Sequence, residues 1–297
     1  MAYRIRRKDS KAQATLRRIA REQVQAAIRA IDTASVDTAS AIHDVRKRIK
    51  KIRGLLRLVR PSFDGYRDEN AAYREISAPL GAKRDADVLI ETFDRVIEHA
   101  GPADAATFGS VRQQLVQHGK AVETAHDPDA LLRTARSALQ DALLRIPTWR
   151  LADEEFDAYE AGLKSSYRRA RKAMRVAFDQ CDDDAFHAWR KRTKDHAFHL
   201  RLLQPIWPGP MRAISTCATS LGDTLGLHHD LAVLAACVRR MTAIDSGTTA
   251  ALQSRIASQQ HPLENRARAL GARLYAESPA ALATTWRRRH AAWRSER

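Results

Sequence analysis

Two stretches of this 297-residue chain repeat the same arrangement of basic and apolar residues. AIHDVRKRIKKIRGLLRL occupies residues 41–58, and AFHAWRKRTKDHAFHLRL occupies residues 185–202. With a shift of 144 positions, the leading histidines, most of the basic residues and the prolines that follow coincide. A second pair of blocks, LGAKRDADVL at 80–89 and LGLHHDLAVL at 225–234, follows in the same order. An internal repeat constrains the whole fold, so we expect two similar halves with a pseudo-two-fold relation.

The apolar residues recur with helical spacing along nearly the whole chain. Glycine and proline are scarce, at 12 and 10 residues, and the runs between them are rich in good helix formers. No segment convincingly alternates with period two. We therefore predict an all-α fold without a sheet. The predicted helices are 10–31, 41–59, 66–80, 85–99, 105–124, 128–145, 157–178, 183–203, 211–225, 230–244, 248–273 and 279–294.

The charge balance indicates an anionic partner. Lysine and arginine number 51 against 35 acidic residues, which gives a net charge of +16 and an isoelectric point near 10.3. Nucleic acid, a phosphate polymer and an acidic membrane surface all fit such a surplus; an ordinary basic surface without a ligand is the plain alternative. Three unpaired cysteines, no secretory h-region and no long apolar run predict a soluble cytoplasmic protein that does not bind a membrane.

A helix over 41–58 would carry a core face and a basic face. Side chains at i, i+4 and i+7 share a side, so the basic residues form a stripe opposite the apolar ones. A helix face that only contacts solvent usually carries both positive and negative side chains, because like charges at i,i+4 repel. The stripes consist of His43, Arg46, Lys47, Lys50, Arg53 and Arg57 in the first stretch, and of His187, Arg190, Lys191, Lys194 and Arg201 in the second. Two such stripes beside a shared groove would suit a polyanion, which releases counterions as it binds.

These motifs resemble the CHAD domain, the conserved histidine α-helical domain. IHDVRKRIKKIRGLLRLVRP followed by LGAKRDADVLIETF matches the family pattern closely, and FHAWRKRTKDHAFHLRLLQP followed by LGLHHDLAVL matches it more loosely. The resemblance implies a single CHAD domain over 1–297, with repeat halves 10–146 and 153–294. It further implies two four-helix bundles around a basic central channel. The implied activity is binding of inorganic polyphosphate without catalysis or a cofactor, and an association with polyphosphate granules is a related expectation.

The resemblance also implies the contact residues. Beyond the two stripes, they are Arg84 of the RDAD segment and the basic residues that open each half, namely Arg17, Arg18 and Arg21 with Arg168, Arg169 and Lys172. The halves are not equivalent, however. Lys51 is matched by Asp195, and Arg84 is matched by His229. We therefore expect the two sides of the channel to bind unequally.

Two other functions are weighed against this interpretation. A nucleic-acid-binding helical protein would have a similar charge, but the stripe lacks interleaved aromatics for base stacking; nucleic acid is therefore expected only as a non-specific competitor. A histidine-based metal scaffold is less favoured, because the neighbouring residues of HHD at 228–230 point about 100° apart on a helix. No GxSxG, Cys–His or P-loop signature occurs, so we predict neither catalysis nor a bound metal.

Overall fold

The computed structural model describes residues 3–9, 11–34, 37–98, 107–125 and 127–296. This described part is α-helical, with short 3-10 turns and no strand. The α-helices are α1 Ala12–Asp32, α2 Thr38–Leu58, α3 Tyr66–Ser77, α4 Ala82–Ile97, α5 Gly109–Thr124, α6 Pro128–Arg145, α7 Asp157–Gln180, α8 Asp183–Leu203, α9 Pro208–Arg239, α10 Ser246–Leu274 and α11 Pro279–Ser295. The predicted all-α class is confirmed.

Most predicted helices have ends within four residues of the observed ones, but one prediction is wrong. The segments 211–225 and 230–244 were expected as two helices, whereas α9 runs unbroken from Pro208 to Arg239. Gly226 does not break this helix. Its lack of a side chain leaves room for Arg190 of α8, since a Cβ at this position would lie 3.8 Å from Arg190 Nε. The predicted ends at residues 99 and 105–106 lie outside the described residues.

The two helices that carry the basic stripes begin in the same way. The Asp37 carboxylate accepts a hydrogen bond from the Ser40 amide at 2.9 Å at the start of α2. The Asp182 carboxylate accepts one from the Ala185 amide at 2.7 Å at the start of α8. Such caps satisfy amides that have no partner within the helix. They fix where each stripe begins.

One large core joins the helices of both halves. Helix α1 packs along α2, α7 packs along α8, and α2 contacts both α7 and α8. Leu16, Ile49, Tyr167 and Trp189 are fully buried in this core. Burial of large apolar side chains stabilises each by roughly 1.5–3 kcal/mol. The stripe helices are therefore held from behind by apolar contacts, which leaves their basic faces available.

Helix α2 crosses α8 at Gly54. A Cβ at this glycine would lie 2.9 Å from the Phe198 Cβ, so only glycine permits the observed approach. The Gly54 carbonyl also accepts a hydrogen bond from His199 Nε2 at 3.0 Å. Burial lowers the pKa of His199 to about 3, which keeps the ring neutral. The crossing is consequently a buried contact that water does not separate.

A smaller apolar cluster holds α4 and α5 against the end of α9 and the start of α10. Phe93, Leu115, Leu234 and Ile256 are buried in it. This cluster places α4 across from α2, and the space between them becomes the cleft described below. None of the helices described is both long enough and apolar enough to span a bilayer.

The contact between α2 and α7 generates a stability prediction. A Cβ on Gly162 of α7 would lie 1.7 Å from the Leu58 carbonyl oxygen, so any side chain forces backbone apart. We expect Gly162→Ala to lower the free energy of unfolding by about 3 kcal/mol or more, as severe overpacking does. Urea denaturation followed by circular dichroism measures this change.

Gly209→Ala is the matched control, because nothing lies within 4 Å of a Cβ added there. This replacement within α9 should be neutral or slightly stabilising, since alanine favours a helix by about 1 kcal/mol over glycine. Equal stability of the two variants would contradict the packing of α2 against α7.

Candidate anion-binding cleft

A cleft of about 710 Å³ opens between α2, α4, α8 and α9. Its charged lining consists of the cations Arg46, Lys47, Lys50, Lys51, Lys83, Arg84, Arg190 and Arg201 with the acids Asp85, Asp87 and Asp230. His43 and His229 also line it. Cations therefore outnumber acids by more than two to one, and the two stripe helices contribute to the same cleft.

Arg46 ties the first stripe to the wall formed by α4. Its Nη1 donates hydrogen bonds to the carbonyl oxygens of Leu80 and Gly81, both at 3.0 Å. Its Nη2 lies 3.7 Å from the Asp85 carboxylate. These contacts use one edge of the guanidinium to position the start of α4. Arg46 is thus a structural residue of the cleft as well as one of its cations.

Three cations of the two stripes lie side by side. Lys50 and Arg190 line the cleft, and Lys194 lies next to them outside its lining. Desolvation first, then Arg46 and Arg190, lowers the pKa of Lys50. Desolvation, followed by the charges of Arg190 and Lys50, lowers the pKa of Lys194 to about 8. Asp230 and Asp223 act on Arg190 only from beyond ion-pair distance. Among the described residues, Lys50, Arg190 and Lys194 form no ion pair. An external anion would relieve their mutual repulsion.

Glycines of α9 make room for these long side chains. A Cβ at Gly222 would lie 3.6 Å from the Lys194 Cγ, directly over its stem. Gly226 lies one turn further on and faces Arg190 in the same way. Residues four apart share one face of a helix. The two glycines therefore form a shallow track on α9 along which the cations of α8 lie.

A second cationic pair lines the cleft near the crossing of α2 and α8. Desolvation, followed by the charges of Arg48, Lys47 and Arg201, lowers the pKa of Lys51 to about 8. Arg201 is exposed, and it has no ion pair within the described part of the chain. This pair extends the cationic surface from Lys50 toward the end of α8.

The histidines face different environments. The rings of His187 and His229 stack with centroids 3.9 Å apart. Desolvation, followed by the nearby cations, lowers the pKa of both, to about 4 for His229. Adjacent His228 is instead buried, with Nε2 3.2 Å from a Glu264 oxygen. No group of three or more His, Cys, Asp or Glu side chains suited to a metal ion occurs in the part that the structure describes.

Part of the predicted stripe lies away from the cleft. Arg53 and Arg57, on either side of Gly54 in α2, are both absent from the cleft lining. Arg57 Nη1 donates a hydrogen bond to Asp195 at 2.8 Å, and Arg53 Nε donates one to Asn70 at 3.1 Å. Arg169 lies beside the same aspartate: burial raises the pKa of Asp195, and the charge of Arg169 is among those that partly oppose this rise. These three predicted contacts form a separate cluster and do not line the cleft.

Two of the predicted contacts have acidic partners of their own. Lys47 lies 3.8 Å from Asp44, one turn earlier on α2, and Arg84 pairs with Glu91 at 2.7 Å. Both pairs are exposed, and exposed pairs contribute little. Lys47 and Arg84 therefore remain available to a stronger anion. Lys191 is exposed next to His187, whose pKa its charge lowers.

The basic residues that open each half do not meet in the cleft. Arg17 Nε donates to the Trp149 carbonyl at 2.8 Å, and Arg18 pairs with Asp9 at 2.6 Å and with Glu22 at 3.2 Å. The Asp9 pair holds the N-terminal segment against α1, and the Trp149 contact ties α1 to the connection that follows α6. The other opening residues, also absent from the cleft lining, are Arg21, Arg168 and Lys172, all exposed.

The cleft also contains two cations that the sequence did not single out as contacts. Lys51 faces Arg201, and Lys83 of α4 pairs with Glu123 while it lines the opening. The mismatch of Lys51 with Asp195 in the repeat marked this position as different between the halves. It gave no sign that Lys51 would lie in the cleft.

Comparisons with known proteins place this helical fold in a family. The family model for the CHAD domain matches residues 11–239, well over half of the chain. The chain therefore belongs to the CHAD family, as the sequence motifs predicted. PptA from Streptomyces chartreusis has the same fold, with a TM-score of 0.61 and 16% identity over 90% of this chain and 100% of that one.

Curated relatives occur in Mycobacterium tuberculosis. Uncharacterized protein Rv2226 of strain ATCC 25618 / H37Rv and uncharacterized protein MT2285 of strain CDC 1551 / Oshkosh are each 31% identical over 172 residues. The match covers 53% of this chain but only 33% of each relative. The matched segment thus spans about a third of the length of those relatives.

The depressed pKa of Lys194 generates a pH prediction. The folded pKa is about 8 and the ordinary value is 10.5, so the unfolded chain binds more protons between these values. Stability rises with pH wherever this is so. We expect the free energy of unfolding of the wild type, relative to Lys194→Gln, to increase from pH 8 toward pH 10.

Urea denaturation at low salt across this range provides the measurement. Lys164→Gln is the control, because it removes the same charge from an exposed position on α7; the difference for Lys194→Gln should change with pH by more than the difference for this control. A pH-independent difference for Lys194→Gln would show that the folded protein does not destabilise the charged form of this lysine.

Proposed function

We propose that this protein binds inorganic polyphosphate in the cleft and does not hydrolyse it. The observation that carries the proposal is the group of Lys50, Arg190 and Lys194, three neighbouring cations without an ion-pair partner in the described structure. Their repulsion and desolvation destabilise the unliganded fold. A chain with one negative charge on each phosphate would offset both costs, and its oxygens suit lysine and guanidinium donors.

We further propose that the cleft is the central channel of a single domain over 1–297, built from two bundles with a pseudo-two-fold relation. Three observations support this. The residues of the cation cluster come from both halves, and Lys50 matches Lys194 in the repeat. The helices cross at Gly54 and Phe198, which are themselves matched positions. A polymer would then meet donors from both halves at once.

The size and lining of the cleft favour polyphosphate over nucleic acid. The cleft has a volume of about 710 Å³, and a DNA duplex is a wide ligand for it, since its major groove alone is about 12 Å wide. A duplex is therefore expected only across the mouth. A single strand would need aromatic platforms for its bases, and Phe198 is the sole Phe, Tyr or Trp in the described lining. We also propose, from this binding, an association with polyphosphate granules.

Neutralising the cation cluster tests the proposed site. Lys50→Gln with Lys194→Gln should weaken polyphosphate binding by roughly tenfold for each lost charge-assisted contact. It should also reduce the slope of affinity against salt by about one unit per contact. Titration calorimetry with polyphosphate of defined length measures both quantities.

The matched control is Lys120→Gln with Lys164→Gln. Both lysines are exposed on other helices and do not line the cleft, so the control has the same net charge. If the two double variants lose affinity equally, binding depends on total charge and the cleft is not the site.

Competition separates polyphosphate from nucleic acid. At about 0.15 M salt, which screens exposed charges beyond roughly 8 Å, long-chain polyphosphate should displace labelled DNA at equal phosphate concentration, while DNA should not displace polyphosphate. Equal competition would favour the nucleic-acid alternative. The same samples incubated with Mg²⁺ should release no free phosphate; any protein-dependent release would overturn the non-enzymatic part of the proposal.

A further inference from the structure

Asp195 of α8 lies in a cluster of arginines outside the cleft lining. Its carboxylate is 2.8 Å from Arg57 and 3.8 Å from Arg192, and the charges of Arg169 and Arg53 also act on it. The Asp195 side chain is only 14% exposed. Burial of a carboxylate is costly unless donors surround it, and here basic side chains converge on a single acid.

The repeat shows what this acid replaces. Asp195 matches Lys51, and Arg57 matches Arg201. The pair Lys51 and Arg201 is therefore related by the repeat to the pair Asp195 and Arg57. Lys51 and Arg201 line the cleft, and no acid pairs with either among the described residues. In the related pair, Asp195 forms an ion pair with Arg57. Arg201 therefore has no ion-pair partner in the cleft, whereas its repeat match Arg57 is paired with an acid in the cluster.

We propose that Asp195 is a built-in anion that fills a second phosphate site, formed by Arg53, Arg57, Arg169 and Arg192, and so confines a bound polyphosphate to the cleft. The confinement rests on the function proposed above. A carboxylate and a phosphate accept similar hydrogen bonds from guanidinium groups. The side chains of Arg57 and Arg192 are 24% and 45% exposed, so a ligand can reach them once the aspartate is neutral.

A purely structural ion pair between α2 and α8 is the simpler account, and the two make opposite predictions. Loss of a structural pair would only destabilise the protein. Loss of a built-in anion would also create binding. The decisive variant therefore combines Asp195→Asn with the weakened cleft of Lys50→Gln and Lys194→Gln, so that any regained binding arises elsewhere.

Calorimetric titration with polyphosphate compares this triple variant with its parent double variant. We expect the affinity to rise about tenfold or more, which is roughly one charge-assisted contact, with a salt slope steeper by about one unit per recovered phosphate contact. Asp64→Asn in the same background is the control, since Asp64 is exposed in a turn and changes the net charge equally. Equal affinities for the two triple variants would overturn the proposal.

A second measurement uses inorganic phosphate and the single variant Asp195→Asn. At matched ionic strength, phosphate in place of chloride should raise its melting temperature more than that of the wild type, because the anion replaces the missing carboxylate. An equal shift, or a variant that stays unfolded in phosphate, would contradict the second site. This measurement tests the second site independently of the proposed function. If the wild type failed to bind polyphosphate, only the proposed function would be refuted.

Discussion

The crossing of α2 over α8 at Gly54 determines where the charges of this protein lie. Because Gly54 has no side chain, Phe198 and His199 approach the backbone of α2 directly. The crossing divides the basic stripe of α2 into two parts. Residues before it, such as Lys50, face the cleft with α4 and α9, whereas Arg57 beyond it meets Asp195. A bulkier residue at this position would push α2 and α8 apart. It would thereby disrupt both cation clusters, because each contains residues of both helices.

The two clusters are opposite solutions to one electrostatic problem. Cations brought together in partly desolvated surroundings repel, and either an internal acid or an external anion must offset the cost. Asp195 offsets part of the charge of one cluster from within the chain. In the cleft, Lys50 and Arg190 have no ion-pair partner among the described residues, and neighbouring Lys194 has none either. The apolar core behind α2 and α8 supplies the stability that offsets this repulsion. We infer that the fold holds these cations together without an internal partner, so that they stay free to bind an external anion.

The sequence predicted the all-α class and most helices, because apolar residues at helical spacing report directly on the buried side of each helix. The sequence-based prediction failed where contacts between helices determine the course of a helix or the surroundings of a side chain. Residues 211–225 and 230–244 were predicted as two helices, but Gly226 between them faces Arg190 within one continuous helix. A helical wheel gives a direction around an axis and not the point where another helix crosses, so Arg57 was assigned to the groove. Arg18 pairs with Asp9 from a segment whose path no periodicity reveals.

Proton uptake on binding tests the central claim most directly, because it reports on lysines in the cleft and next to it. The pKa values of Lys51 and Lys194 are both about 8 in the unliganded protein, and a bound polyanion raises them by favouring the charged form. Calorimetric titration with polyphosphate near pH 8.5, in buffers with different ionisation enthalpies, should therefore show net proton uptake that decreases in Lys194→Gln. Binding heats that are the same in every buffer would contradict the claim that an anion fills the cleft beside these lysines.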